Sequence, residues 1–248
     1  MSASPQNLTL YRGIYTDSYH ADIIKNQGFE QKWAIEQESK RYSPKEIDEF
    51  LKKDSLKLDD VSATDMIKSI YFASATERDA CFYALWNKKG GYIGNYDLKQ
   101  NEQYYGPKSP YIIKFKVSPE CVGIDASDSL YPMSYQPEKW EGENYDKLCM
   151  LFSKRIVDKY KPYLLSDKYD DNALVALMSS EPEAILSFYK NKDILINGKR
   201  GIQMLSAFKV FTDITKENII SVKETSEEEC RNIIDSFKPK AEIQHWFS

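Results

Sequence analysis

Ser180-Glu181-Pro182-Glu183-Ala184-Ile185-Leu186-Ser187-Phe188-Tyr189 is the stretch on which the reading of the fold turns. A polar segment with two carboxylates leads into a short apolar run, residues 184–189, which reads as a strand. On an extended backbone, residues two apart share a face, so Glu181 and Glu183 project side by side. Pro182 between them removes one ladder donor and suits the first residues or the edge of a strand. Similar short runs at 174–178, 194–196, 204–211 and 218–222, separated by polar turns, also read as strands. The chain from about residue 173 to 222 is therefore expected to be β-rich.

Upstream the texture differs. Residues 8–12 read as a strand, followed by a helix that Asp17 or Ser18 caps, that carries Ile23 and Ile24, and that ends at Gly28. Ser43-Pro44-Lys45-Glu46 is a capping box with proline at the first helical position, and Ile47, Phe50 and Leu51 follow at helical spacing. Residues 70–73 form a short apolar run. From Thr76 the segment 77–87 turns helical, with Phe82, Leu85 and Trp86 on one face, so Ser74 and Thr76 sit at a strand-to-helix junction. A tyrosine-rich loop spans 90–107; strands are expected at 111–117 and 121–125, and one long helix at 144–160. Ser226-Glu227-Glu228-Glu229 caps a final helix over about 226–238. Helices first and strands behind predict an α+β protein, with no repeat or linker to divide its single domain.

Composition narrows the function classes. The chain has 248 residues, 42% hydrophobic and 29% charged, enough for a sizeable core. Its net charge of -4, with scattered lysines, offers no footprint for nucleic acid or an anionic membrane. The four cysteines stand singly and there are only two histidines, so no metal-site spacing and no disulfide framework is expected. His20 reads as a surface or capping residue rather than a ligand. No run approaches the roughly 20 apolar residues that span a bilayer, and Met1 to Asn7 lack the regions of a signal peptide. The expected location is a cytosol, the producing cell's own or that of a host cell reached without a cleaved signal.

Two neighbouring carboxylates repel unless something cationic arrives beside them, and so favour a cationic substrate or transition state. Glycosidic bond cleavage passes through such an oxocarbenium-like state. Arg12 on the first strand, Ser74 and Thr76 at a strand end, and Glu181 with Glu183 complete a set of groups that fits this chemistry.

In this order the pieces resemble the mono-ADP-ribosyltransferases of the Arg-Ser-Glu type, the group containing cholera toxin and the vertebrate arginine-specific ecto-enzymes. Leu10-Tyr11-Arg12-Gly13 looks like the family's Tyr-Arg-Gly start. Tyr71-Phe72-Ala73-Ser74-Ala75-Thr76 resembles its aromatic-x-Ser-Thr-Ser strand with alanine at the middle threonine, and Glu181-Pro182-Glu183 resembles its Glu-x-Glu turn. The resemblance implies a split sandwich of two small antiparallel sheets with N-terminal and inserted helices (the insertion at about 140–165) and NAD held between the sheets. It implies that Arg12 binds NAD, that Ser74, helped by Thr76, holds the catalytic carboxylate, that Glu183 stabilises the oxocarbenium, and that Glu181 orients an acceptor arginine on a target protein. No metal is implied.

The long interval between Ser74 and Glu183 demands an insertion, and Gln136-Pro137-Glu138 lies nearer the toxin-like spacing, which makes Glu138 the alternative catalytic residue. Glu183 is favoured because a strand is expected after it. An NAD glycohydrolase and an inactive interaction module of the same fold remain alternatives. The acidic run Glu227-Glu228-Glu229 resembles the glutamate-rich tails of bacterial type IV effectors, and better suits an acidic first helical turn favoured by the helix dipole.

Overall fold

A computed structural model describes residues 7–29, 35–37, 41–62, 68–88, 106–125, 142–197, 203–204 and 206–243. In chain order the elements are β1 (Leu8–Thr16), α1 (Ser18–Gln27), β2 (Gly28–Phe29), β3 (Ile35–Gln37), α2 (Pro44–Leu51), α3 (Leu58–Ser62), β4 (Lys68–Ala73), α4 (Glu77–Lys88), β5 (Ser109–Val117) and β6 (Val122–Ile124). They continue with α5 (Gly142–Phe152), α6 (Lys154–Leu164), α7 (Asp171–Met178), α8 (Pro182–Lys190), β7 (Ile194–Asn197), β8 (Gln203–Met204), β9 (Phe208–Val210), β10 (Ile214–Thr215), β11 (Ile219–Glu224), α9 (Glu227–Ser236) and β12 (Ala241–Ile243). The class is mixed α+β. The chain divides into two compact units, one of Met1–Gln37, Ser69–Cys121 and Phe208–Lys238, the other of Glu38–Lys68, Val122–Ala207 and Pro239–Ser248.

In the first unit β5 lies between β1 and β11, antiparallel to both, with Leu8 opposite Val117, Thr16 opposite Ser109 and Glu224 opposite Tyr111. Alternation along β1 and β5 buries Leu8, Leu10 and Ile14 together with Ile113, Phe115 and Val117. The helix α4 packs onto this sheet through small residues: Ala80, Cys81 and Ala84 are wholly buried. Opposite them is Gly13, where a Cβ would stand 1.7 Å from the carbonyl oxygen of Ala80. Strand β4 pairs antiparallel with β9, Tyr71 opposite Val210 and Ala73 opposite Phe208. Just beyond β4 the chain makes one more bridge, Ser74 to Tyr11, so β1 is tied to the β4 end as well as to β5.

The second unit is mainly helical. Leu148, Leu151 and Phe152 of α5, Ile156, Val157 and Tyr160 of α6, Leu174 and Leu177 of α7, and Ile185 and Phe188 of α8 are buried. The rings of Phe152 and Phe188 stack at 5.6 Å and 11°. A small sheet has β7 at its centre, parallel to β12 and antiparallel to β8.

Three expectations are corrected. Residues 174–178 and 184–189 are helices, not strands. In α7, Leu174, Val175, Leu177 and Met178 are all buried, so the segment shows no period to read, and the carboxylate of Asp170 caps it by accepting from Asn172 N at 2.9 Å and Ala173 N at 3.1 Å. In α8 the buried residues are Ala184, Ile185 and Phe188, a helical spacing, while Leu186 is exposed; Pro182 at the first position and Glu183 in the first turn are helix-start signals. The expected helix 144–160 is two helices. Ser153 separates them with φ 74°, and its Oγ accepts from Ile156 N at 3.4 Å to start α6. The tyrosine-rich segment at 90–105 and Gln136-Pro137-Glu138 lie outside the described residues.

Because the methyl of Gly13→Ala meets backbone rather than a yielding side chain, α4 must lift off β1. The variant is expected to lose about 1–3 kcal/mol of stability, read as a lowered urea midpoint, and an unchanged midpoint would show that α4 does not rest on this position.

Candidate functional site

Arg12 lies on β1 with Ile113 of β5 opposite it, and its guanidinium is turned into the protein, leaving 6% of the residue exposed. Nη1 donates to the carbonyl of Phe72 at 2.8 Å. The neighbouring bridge explains the placement. Tyr11 N donates to Ser74 O and Ser74 N to Tyr11 O, both at 2.8 Å, so the residue after Tyr11 must run beside the end of β4. A small recess with room for about one water molecule lies there, lined by Tyr11, Arg12, Gly13, Phe72, Ala73 and Tyr83.

Ser74 and Thr76 build the junction that follows. The Ser74 hydroxyl donates to the carbonyl of Thr76 at 2.9 Å and lies 3.4 Å from that of Tyr11, and the Ser74 residue is fully buried. Thr76 Oγ1 accepts from Asp79 N at 3.2 Å and so caps α4. Arg78 and Asp79, both buried, form an ion pair at 2.8 Å in the first turn of that helix. Arg12, Ser74 and Thr76 are thus brought together in the first unit. Sequence reasoning missed Tyr83 as a neighbour of Arg12, because it comes there through the packing of α4 and no local signal shows that.

His20, expected at the surface or as a cap, is buried. Its Nδ1 lies 2.8 Å from Oδ1 of Asp17, whose carboxylate caps α1 by accepting from His20 N at 2.9 Å. The pair closes the start of that helix.

Glu181 and Glu183 belong to the second unit and do not project side by side from a strand. Glu181 is the residue preceding α8 and is 5% exposed. Its Oε1 accepts from Lys159 Nζ at 2.6 Å and from the Tyr160 hydroxyl at 3.1 Å, and Lys159 also reaches Asp48 at 3.1 Å. Burial alone would lower the Lys159 ammonium pKa, but its two carboxylate partners raise it on balance. Burial first, and the Glu181 charge second, hold the Tyr160 phenol well above its ordinary range. Glu183 accepts from Ser153 Oγ at 2.6 Å through one oxygen and from Arg155, by Nε and Nη2, at the other. Arg155 first, and Ser153 second, hold the Glu183 carboxyl below its ordinary 4.5. Both carboxylates therefore link the start of α8 to α6, each with a cation beside it, and Glu183 is anionic at neutral pH.

Among the described residues no group of three or more His, Cys, Asp or Glu side chains is placed to hold a metal ion, and no helix is long and apolar enough to cross a membrane. No known protein family matches the chain, and no curated protein or solved structure matches it either.

The Glu183 pairing carries a pH dependence. A carboxyl whose folded pKa is depressed stabilises the protein fully above its unfolded pKa, near 4.5, and loses that contribution as pH falls through the lower, folded value. Urea titrations of wild type and Glu183→Gln are expected to differ at pH 7 and to converge below the folded pKa. A constant difference down to pH 2 would exclude this ion pair as its source.

Proposed function

We propose that the chain is an NAD-dependent mono-ADP-ribosyltransferase in which Arg12 binds NAD and whose acceptor is an arginine of a target protein. The observation that carries the reading is the buried Arg12, which lines a small recess with Tyr11 and Tyr83 beside the bridge from Tyr11 to Ser74. A guanidinium suits the bidentate, charge-assisted hydrogen bonds of a diphosphate. Tyrosine rings supply flat apolar walls with a polar edge for a planar base. The split-sandwich fold of this family belongs to the same proposal.

In the reaction the bond from C1′ of the ribose to the nicotinamide nitrogen breaks and its electron pair leaves with nicotinamide. A guanidinium nitrogen of the acceptor then bonds to C1′ as its proton passes to a base. A carboxylate must stabilise the cationic sugar. The sequence offers Glu183, with Glu181 as the base, and Glu138 as the alternative. Glu183 is anionic, as the role demands, but it shares its charge with Arg155 and Ser153. Those partners serve an ion pair between helices equally well, so the choice between Glu183 and Glu138 is one for experiment.

Incubation with labelled NAD and cell lysate is expected to release nicotinamide and label a protein, with the label removed by Arg12→Ala. Arg12→Lys keeps the charge and loses the fork, and is expected to weaken NAD binding roughly 10- to 100-fold, the worth of a lost charge-assisted hydrogen bond. Glu183→Gln and Glu138→Gln identify the carboxylate by which of them loses turnover while retaining NAD binding. Release undiminished without acceptor protein would instead make the chain an NAD glycohydrolase, and binding without turnover would make it an interaction module. Absence of NAD binding by wild type would overturn the proposal.

A further inference from the structure

Cys81 and Cys230 are far apart in sequence and meet in the core of the first unit. Cys81 lies in the second turn of α4, Cys230 in α9, and both are wholly buried in one cluster with Ala80, Ala84 and Ile112, edged by Leu85, Ile233 and Ile234. The Cys230 thiol, followed by burial, pushes the Cys81 thiol up, and the Cys81 thiol is the main cause holding Cys230 below its ordinary range. The other two cysteines, Cys121 and Cys149, are half-buried and stand elsewhere.

Two features make this more than a packed pair. Cys230 is the one residue of α9 that is fully buried, so this helix is attached through a face centred on the sulfurs. A helix near the end of the described chain with so small a buried face opens at lower cost than the sheet beneath it, and each opening exposes the thiol pair to small reagents. The tie would also run to α4, the helix that Thr76 caps and that carries Tyr83 to the recess.

We propose that Cys81 and Cys230 form a reversible dithiol–disulfide couple oxidised by a peroxide, tying α4 covalently to α9. The Cys230 thiolate attacks a peroxide oxygen; the S–O bond forms as the O–O bond breaks, and hydroxide leaves to be protonated to water. The Cys81 sulfur then attacks the resulting sulfenic sulfur, the S–S bond forms, the S–O bond breaks, and a second water departs with the Cys81 proton. Two electrons pass from the sulfurs to the peroxide. The couple does not depend on what Arg12 binds.

The full chain, treated with hydrogen peroxide, alkylated under denaturing conditions and digested without reductant, tests this by peptide mass spectrometry. The expected product is a Cys81–Cys230 cross-linked peptide, split by dithiothreitol, in wild type and equally in a Cys121→Ser, Cys149→Ser variant. If Cys81 and Cys230 stay alkylatable while Cys121 and Cys149 react, or if they pass to sulfinic acid without a cross-link, the couple does not exist.

Discussion

The first unit depends on the contact between a glycine and a helix. At Gly13 the strand β1 has no side chain, and the carbonyl of Ala80 occupies the place where a Cβ would be. Small side chains at Ala80, Cys81 and Ala84 continue that close approach along α4. Dispersion between surfaces this close falls steeply with any gap, so the seat of α4 on β1 is all or nothing over a fraction of an ångström. Everything placed beside it follows. The helix start at Thr76, the strand end at Ser74 and the bridge from Ser74 to Tyr11 are consecutive links in one short run of chain. Arg12 stands between the bridged tyrosine and the glycine.

A different constraint organises the helices of the second unit. Glu181 and Glu183 stand at the N-terminus of α8, where the helix dipole already favours negative charge. Lys159, Tyr160, Arg155 and Ser153, all on or just before α6, converge on them. Glu181 is nearly buried, so its charge is tolerable only with those donors in place. The Glu183 pair is more exposed and contributes less. One sequence feature, two carboxylates around a proline, thus serves as a helix start and as a double fastening between helices. Any catalytic role must share the same groups.

How much of this was legible in sequence depends on whether the signal was local. Ser43-Pro44-Lys45-Glu46 formed the capping box its residues announce, with Ser43 and Glu46 in reciprocal hydrogen bonds. The strand at β5 and the helices α4 and α9 also stand where periodicity and caps put them. The errors have two origins. A short, mostly buried apolar run shows little period, so α7 read as a strand. In α8 the buried set Ala184, Ile185 and Phe188 does carry the helical period, but an expected Glu-x-Glu strand displaced it. Arg12 and Ser74 could be nominated from sequence, while the recess could not. Tyr83 and Phe72 come to it through the packing of α4 and the path of β4, which are properties of the assembled unit.

The helix α4 is where the remaining features of the first unit meet. Its face toward β1 is fixed by Ala80 against Gly13, and the next residue, Cys81, shares a buried cluster with Cys230. A close-packed interface shifts between discrete arrangements rather than deforming smoothly. A bond formed between the sulfurs would bear on Cys81, the residue next to Ala80, whose carbonyl faces Gly13. Arg12 is the residue before Gly13, and Tyr83 is the second residue after Cys81. The walls of the recess and the thiol pair are thus carried by neighbouring residues of β1 and α4.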